Sequence, residues 1–342
     1  MIFSYRTRKR LINLGITILV LLLVAAIVWL CGIIWLDRYV VYSRSGARID
    51  FNQSPTFPSG VVAKPTVQNF SVNIFYDEPE IEAPVVDVMP TSISGYYIDS
   101  EALKTDIPAV LEQVQKLEKD TAVLLDVKDI RGHFYYSSSV STKRAKDVDI
   151  EQMNQLIQYL LESDLYLIAR LPALRDYEFG LNNVPCGLPR KGGNGSLWLD
   201  DTNCYWLDPT KSGTLDYLAQ QAMELRLMGF NEVVFTDFRF PNTEKITFEG
   251  DKEQAIAEAA ATLVQKVSAD KFFLSFHSET TTFSLPEGNC RLYLADVPAA
   301  DVSTIVEQIG SENPAIQMMF LTTVHDTRFD EYCVLRPLDE AP

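Results

Sequence analysis

The sequence is poor in histidine and cysteine, and it lacks several motifs that mark common kinds of site. Its 342 residues include three His, which have neither the i, i+4 helical spacing nor the partner cysteines of zinc sites. The five Cys form no C-x-x-C pair. No G-x-G-x-x-G follows a predicted strand, and the Walker and G-x-S-x-G motifs are absent. We therefore expect no metal site, no cofactor and no serine nucleophile elbow.

The chain also lacks basic charge. It has 30 Lys and Arg against 46 Asp and Glu, which gives a formal net charge of -16. A nucleic-acid binder needs a basic face, so we expect no nucleic-acid partner. The 47% of hydrophobic residues is typical of a globular protein with a large core. The excess of carboxylates fits either a solvated acidic surface or a cleft lined with acids.

Residues 11–36 contain no charged side chain, and this run is long enough to cross a bilayer, which needs about 20 apolar residues. Four basic residues precede it within residues 1–10, so the positive-inside rule predicts a cytoplasmic basic tail and an extracytoplasmic remainder. A cleaved signal peptide is the alternative, but its apolar core would be only about 7–15 residues long. We predict a single-pass cell-membrane protein with an uncleaved signal anchor.

Residues 37–91 contain several prolines and an acidic patch, without a regular hydrophobic period. We interpret this stretch as an extracytoplasmic tether that lifts a domain, residues 92–342, away from the membrane.

Within residues 92–342, short apolar segments alternate with amphipathic ones about eight times. Strands are predicted at 93–98, 122–125, 165–171, 233–235, 272–276, 291–295, 316–321 and 332–335. Helices are predicted at 101–118, 150–161, 213–228, 251–267 and 302–309. This alternation over roughly 250 residues is typical of an α/β fold of the (β/α)8 TIM type. The later units are shorter, so we expect irregularity in the last quarter of the barrel.

The segment 229–241, GFNEVVFTDFRFP, predicts a buried strand followed at once by Asp237 and Arg239. Active sites of α/β barrels lie at this end of the strands, although structural ion pairs also occur there. Paired carboxylates beside an Arg are the chemistry of glycoside hydrolysis, in which one acid protonates the leaving oxygen. Polar residues that follow other predicted strands could meet them at the same rim. The candidate catalytic acids are Asp237, Asp126, Asp129 and Glu279.

Aromatic residues in the predicted loops could stack on sugar rings, although core packing is the alternative for each of them. These are Tyr135, Tyr136, Trp198, Tyr205 and Trp206. Outside the cytosol a disulfide is permitted, and one between Cys186 and Cys204 would close a Gly-rich insertion. Four free thiols are the other possibility.

Four blocks occur in order: LLDVKDIRGHFYY (124–136), LYLIARLPALRD (165–176), YWLDPT (205–210) and the segment 229–241. Together they resemble the glycoside hydrolase-like TIM-barrel family of bacterial extracytoplasmic proteins, a domain of unknown function. The resemblance implies a barrel that acts on, or binds, a polysaccharide or cell-envelope glycan. Matched position by position, it implies substrate-binding roles for Lys128, Arg170, Asp176, Trp206, Asp208 and Arg239.

One departure from the family pattern is important. The acid that follows the strand's Phe in the family aligns with Thr236 here, and the family's Tyr aligns with Asp237. Because side chains alternate along a strand, this shift turns the carboxylate toward the other face, unless the strand end is bulged. The alternative is therefore a catalytically inactive barrel that serves as a glycan-binding or structural cell-envelope protein. A divisome or secretion partner is a third hypothesis, which no motif supports.

Overall fold

The computed structural model describes residues 40–43, 46–49, 92–269, 271–280 and 282–341. The predicted basic tail and membrane helix lie outside these residues, as does most of the predicted tether. Of the helices that are described, none has both the length and the hydrophobicity to cross a membrane.

The chain divides into two compact units, Met1–Ala83 and Pro84–Pro342. In the first unit, strands β1 (Val40–Ser43) and β2 (Gly46–Ile49) pair antiparallel, within the stretch predicted to be a tether.

The second unit is a closed barrel of eight parallel strands, as the sequence predicts. Each strand pairs with the next along the chain, and the last strand pairs with the first to close the ring. The strands are β3 (Ser94–Ile98), β4 (Ala122–Asp126), β5 (Tyr166–Pro172), β6 (Glu232–Thr236), β7 (Phe273–His277), β8 (Leu292–Ala295), β9 (Met318–Leu321) and β10 (Cys333–Pro337).

Alternation along the strands decides which side chains fill the barrel. Alternate residues such as Leu124, Ile168, Val234 and Met319 form one buried cluster inside the ring. The residues between them pack outward against the helices in a second, larger core. In this register, Asp126 on β4 lies beside Arg170 on β5. Both continue the inward-facing series of their strands toward the carboxyl end of the barrel.

The helices are less regular than the strands. They are α1 (Ser100–Thr105), α2 (Ile107–Val114), α3 (Ile150–Glu162), α4 (Tyr177–Asn182), α5 (Ser212–Met228), α6 (Lys252–Val267), α7 (Val302–Ile309) and α8 (Pro314–Gln317). The helix predicted at 101–118 is divided at Asp106, because Pro108 is tolerated only in a first turn and Asp106 caps the new helix.

The last quarter of the barrel is reduced, as predicted. Strands β8 and β9 have four residues each, and the described part of the β7–β8 connection contains no helix. Between β9 and β10 there is only a short 3-10 turn, Thr327–Phe329.

Candidate functional site at the barrel mouth

The carboxyl ends of β4, β5 and β6 bring together an acid, a guanidinium and a hydroxyl. Arg170 Nε donates to Asp126 Oδ1 at 2.6 Å, and Nη2 donates to Oδ2 at 3.1 Å. The backbone N–H of Ser100 also donates to Asp126 Oδ2, at 3.0 Å. Burial alone would lower the pKa of Arg170, but the neighbouring Asp126 carboxylate raises it overall. This pair is therefore a fixed polar centre in the barrel mouth.

A cavity of about 380 Å³ opens above this pair. Asp126, Arg170, Asp129 and Thr236 line it together with Tyr135. The side chains of Asp126 and Arg170 remain 17% and 19% exposed, so solvent or a ligand can reach them. Of the candidate catalytic acids, Asp126 and Asp129 thus share one open space.

The chain leaves β6 at Thr236 through a left-handed residue, Asp237, with φ of +50°. Asp tolerates this conformation better than most residues, and such backbones are common at functional sites. Burial raises the pKa of the Asp237 carboxyl, while the positive charges of Arg175 and Arg239 act in the opposite direction. The rim at the end of β6 therefore carries an acid whose proton is retained more readily than that of an exposed Asp, next to Thr236 of the cavity lining.

Trp206 organises the arginines around Asp237. Its ring is 4% exposed, and the guanidinium carbons of Arg175 and Arg239 lie 5.6 Å and 5.3 Å from its centroid. The indole Nε1 donates to Asp200 Oδ2 at 3.0 Å, and Arg175 Nε donates to the same oxygen at 2.7 Å. The insertion that carries Trp206 thus holds two cations in place at the mouth through stacking and hydrogen bonds.

Arg239 continues from Trp206 toward the β7 end of the rim. Its Nη2 lies 3.3 Å from a carboxylate oxygen of Glu279, and both side chains are exposed, at 38% and 62%. Glu279 is thus a solvated acid paired with Arg239.

His277, at the end of β7, adds an ionisable group to the same rim. Burial and the charge of Arg170 lower the pKa of His277, so the imidazole is neutral near pH 7. A neutral imidazole can both donate and accept a hydrogen bond, which suits contact with a sugar hydroxyl.

Lys128 and Asp176, predicted to bind substrate, pair with each other at 2.7 Å, and both side chains are 0% exposed. Lys128 is among the residues that line the mouth cavity, but its ammonium is directed to Asp176. Lys128 Nζ also donates to the backbone oxygen of Pro172, and Tyr217 OH donates to Asp176. Gly132, with φ of +81°, passes so close that a Cβ there would lie 2.4 Å from Asp176 Oδ1. In this arrangement the pair holds the β4 and β5 loops together.

Asp208 and Asp129 also have local partners. Asp208 Oδ1 accepts from the backbone N–H and the hydroxyl of Thr210, which forms the turn that leads into α5. Asp129 Oδ1 accepts from the backbone N–H of His133 at 2.9 Å, and its other oxygen lies 3.4 Å from His133 Nδ1. Asp208 is buried, whereas Asp129 still lines the 380 Å³ cavity.

Some rim residues were missing from the sequence prediction. Tyr97 belongs to the inward-facing series of β3, where burial raises its pKa and the charge of Arg170 lowers it. Asp296 follows β8 with a left-handed φ of +55°, as Asp237 follows β6. An acid directly after a short apolar strand was the available signal for Asp296. Arg175, in contrast, is held at the site by contacts with the insertion, through its stacking on Trp206 and its hydrogen bond to Asp200, which no sequence pattern indicates.

The predicted disulfide between Cys186 and Cys204 is absent, and both residues are free thiols. The Cys204 thiol donates to the backbone oxygen of Ile130 at 3.0 Å, so it holds a loop by hydrogen bonding. Burial raises the pKa of Cys204 to about 12, which keeps it protonated and unreactive. In the part of the chain that is described, no three His, Cys, Asp or Glu side chains cluster in a way that could hold a metal ion.

Comparison with known proteins gives the chain a family. The comparison with curated proteins finds no match. Among solved structures, a hypothetical protein from Ruminiclostridium thermocellum ATCC 27405 is similar, with 21% identity, 53% of this chain and 96% of that chain covered, and a TM-score of 0.45. The glycoside hydrolase domain of PelA from Pseudomonas aeruginosa is also similar, with 15% identity, 73% and 97% coverage, and a TM-score of 0.42.

A GH36 alpha-galactosidase, AgaA from Geobacillus stearothermophilus, matches with 10% identity, 72% and 39% coverage, and a TM-score of 0.46. The sequence family described as "Putative glycosyl hydrolase domain" matches residues 93–279, which is more than half of the chain. The match begins at the first strand of the barrel and ends at Glu279, so it includes Asp126, Arg170 and Asp237. The protein therefore belongs to this glycosyl hydrolase domain family.

Proposed function

We propose that this chain is a membrane-anchored protein whose extracytoplasmic barrel binds a polysaccharide or cell-envelope glycan at its mouth and hydrolyses a glycosidic bond there. The observation that carries the proposal is the shared cavity of Asp126 and Arg170 at the carboxyl end of the strands. Asp237 and Arg239 follow β6 on the same rim. Membership of the glycosyl hydrolase domain family supports a glycan as ligand.

The two acids have environments that suit different roles. Burial raises the pKa of Asp237, as a general acid requires, so Asp237 would protonate the leaving oxygen while the glycosidic bond breaks. Asp126 accepts three hydrogen bonds, two from Arg170 and one from Ser100, and a carboxylate has about four lone-pair sites. The remaining site would either attack the anomeric carbon and form a glycosyl-enzyme that water then hydrolyses, or take a proton from a water molecule that itself attacks that carbon.

A non-catalytic glycan-binding barrel is the second candidate, and Thr236 is the observation that favours it. Thr236 lines the mouth cavity at the position where the family resemblance implies an acid, and a hydroxyl cannot replace a carboxylate nucleophile without a base to activate it. Binding would then persist through Arg170, His277 and Arg239 without turnover.

The anchor is supported by the charge-free run at residues 11–36 and by the basic residues that precede it. A net charge of -16 also fits a domain that does not associate with anionic lipid headgroups by itself. These features are the basis for placing the barrel outside the cytoplasm.

The test uses the full chain, extracted from the membrane fraction with detergent, on a panel of soluble polysaccharides. We expect release of new reducing ends by the wild type, and a loss of about 100-fold or more in kcat for Asp126→Asn and Asp237→Asn. Asp164→Asn is the matched control, because Asp164 is 68% exposed and precedes β5 at the opposite end of the barrel.

Each other outcome has a clear meaning. Binding without release of reducing ends would favour the second candidate. Absence of both binding and release would contradict a glycan function. Recovery of the chain in the soluble fraction without detergent would contradict the membrane anchor alone.

A further inference from the structure

A second cavity, of about 680 Å³, lies beside the mouth between the β6–α6 and β7–β8 connections. Arg239, His277 and Glu279, which belong to the mouth, form its inner wall. No helix lies between β7 and β8 in the described residues, and the β7–β8 connection forms part of the cavity wall instead. The two cavities share no lining residue, but the charge of Arg170 in the mouth acts on His277 in the wall of the second cavity, so the two spaces are neighbours on the rim.

The lining of this cavity combines aromatic rings with small polar groups. A sugar ring has an apolar C–H face that can stack on an aromatic ring, and hydroxyls that can hydrogen-bond to polar groups. Phe240 and Phe283 supply the rings, and Asn242, Ser278 and Thr280 supply hydrogen-bonding groups. The rings are fixed by their neighbours. Phe240 packs on Phe248 at 4.5 Å between centroids, and Phe283 packs on Phe276 at 5.3 Å. Rigid aromatic platforms lose little entropy when a ligand stacks on them.

The charges around the cavity nearly cancel. The cations are Arg239 and Lys252, and the anions are Glu244, Glu253 and Glu279. Arg239 and Glu279 already pair with each other, and Lys252 Nζ lies 5.9 Å from the Phe240 ring centroid. With the strongly acidic chain around it, this lining disfavours a carboxylated or sulfated sugar and accepts an uncharged one.

We propose that this cavity is a second sugar-binding subsite, so that the ligand is an uncharged oligosaccharide extending from the mouth past Arg239 onto the Phe240 ring. The inference rests on the proposed glycan function and adds the length and charge of the ligand. Arg239 and Glu279, which are exposed and line this cavity, would hydrogen-bond the sugar that follows the one in the mouth.

The test measures binding of oligosaccharide ladders to the full chain by calorimetry, from monosaccharide to hexasaccharide. The probes are α-1,4-glucose, β-1,4-glucose and β-1,4-N-acetylglucosamine ladders, with an α-1,4-galacturonic acid ladder as the anionic comparison. We expect at least one uncharged ladder to bind about tenfold tighter as a tetrasaccharide than as a disaccharide. The galacturonic acid ladder should show no such gain.

Paired variants separate the subsite from general effects on the fold. Phe240→Ala and Asn242→Ala should remove most of the tenfold gain while disaccharide affinity stays unchanged. Leu227→Ala is the control, because it removes an apolar side chain that is 81% exposed and lines neither cavity, so both the gain and the disaccharide affinity should stay unchanged.

Affinity that does not depend on length, or an unchanged gain in Phe240→Ala and Asn242→Ala, would overturn the subsite and leave the mouth proposal in place. A length-dependent gain on the galacturonic acid ladder alone would overturn the proposed ligand charge. Failure of every ladder to bind would contradict the proposed glycan function and the subsite with it.

Discussion

The barrel interior contains an acid–arginine pair at each end, and the two pairs have very different surroundings. Near the amino end, Arg291 pairs with Glu232, and their side chains are 1% and 0% exposed. At the mouth, the side chains of Arg170 and Asp126 are 19% and 17% exposed and line a cavity. The same kind of ion pair is therefore sealed from solvent at the amino end of the barrel and accessible to solvent at the carboxyl end.

The sealed pair is surrounded by further partners. Tyr166 OH donates to Glu232 at 3.1 Å, and Ser275 Oγ donates to its other oxygen at 2.5 Å. Arg291 Nε donates to the backbone oxygen of Ile316, and its guanidinium carbon lies 3.9 Å from the Phe273 ring centroid. Both charged side chains of the pair are thus hydrogen-bonded to further groups, as buried charges require. The difference implies that the amino-end pair stabilises the barrel and the mouth pair serves the ligand.

The largest expected effect is on stability, from Arg291→Met. This change leaves the Glu232 carboxylate buried without its counter-charge, so we expect a loss of about 3–5 kcal/mol in the free energy of unfolding. A urea titration followed by tryptophan fluorescence should show a lower midpoint with an unchanged slope. The double variant Arg291→Met with Glu232→Gln should recover part of the lost unfolding free energy, because it no longer contains the unpaired Glu232 carboxylate. A loss below about 1 kcal/mol would mean that water reaches the network.

The same substitution at the mouth, Arg170→Met, should have a smaller effect on stability and a larger one on binding. Asp126 would keep the hydrogen bond from the Ser100 N–H and its contact with solvent, so we expect a loss of about 1–2 kcal/mol. Affinity for the glycan that binds the wild type should fall at least about tenfold in the same preparation. Equal losses of stability for Arg170→Met and Arg291→Met would remove the distinction between the two ends.

The barrel was predictable from the sequence because its strands are short, apolar and regularly spaced. The strand predicted at 233–235, for example, lies within Glu232–Thr236. The position of Asp126 and Arg170 followed from the same pattern, because parallel strands place their carboxyl ends on one rim.

What the sequence could not give was the pairing of side chains that are distant along the chain. Lys128 and Asp176 both follow predicted strands, as rim residues do, yet their side chains are buried and pair with each other. The sequence pattern alone does not distinguish a buried Lys128–Asp176 pair from an exposed one. The burial depends on the contact between two loops that are 48 positions apart in the chain (176 minus 128). The stacking of Arg175 and Arg239 on Trp206 was hidden for the same reason.

The smallest expected effect depends on pH and concerns Asp237. Because burial raises its pKa in the folded state, the folded protein holds this proton more tightly than the unfolded chain. The acid therefore lowers stability progressively as pH rises above the unfolded pKa of about 3.9, and the full cost is reached above the folded pKa. Asp237→Asn removes this cost. We expect the variant to be more stable than the wild type at pH 8 by up to about 1 kcal/mol, and equally stable below the unfolded pKa of about 3.9.

Urea midpoints of both proteins at pH 3, 5 and 8 would measure this difference, with Asp164→Asn as a control. Asp164 has its pKa lowered by the hydrogen bond from Lys119, so its substitution should not stabilise the protein at pH 8. If Asp237→Asn stabilises the protein and also abolishes turnover, Asp237 lowers stability but is required for hydrolysis. The mouth would then differ from the sealed end, where the ion pair stabilises the barrel. A destabilising Asp237→Asn at pH 8 would mean that Arg175 and Arg239 outweigh burial and hold this carboxylate as part of the structure.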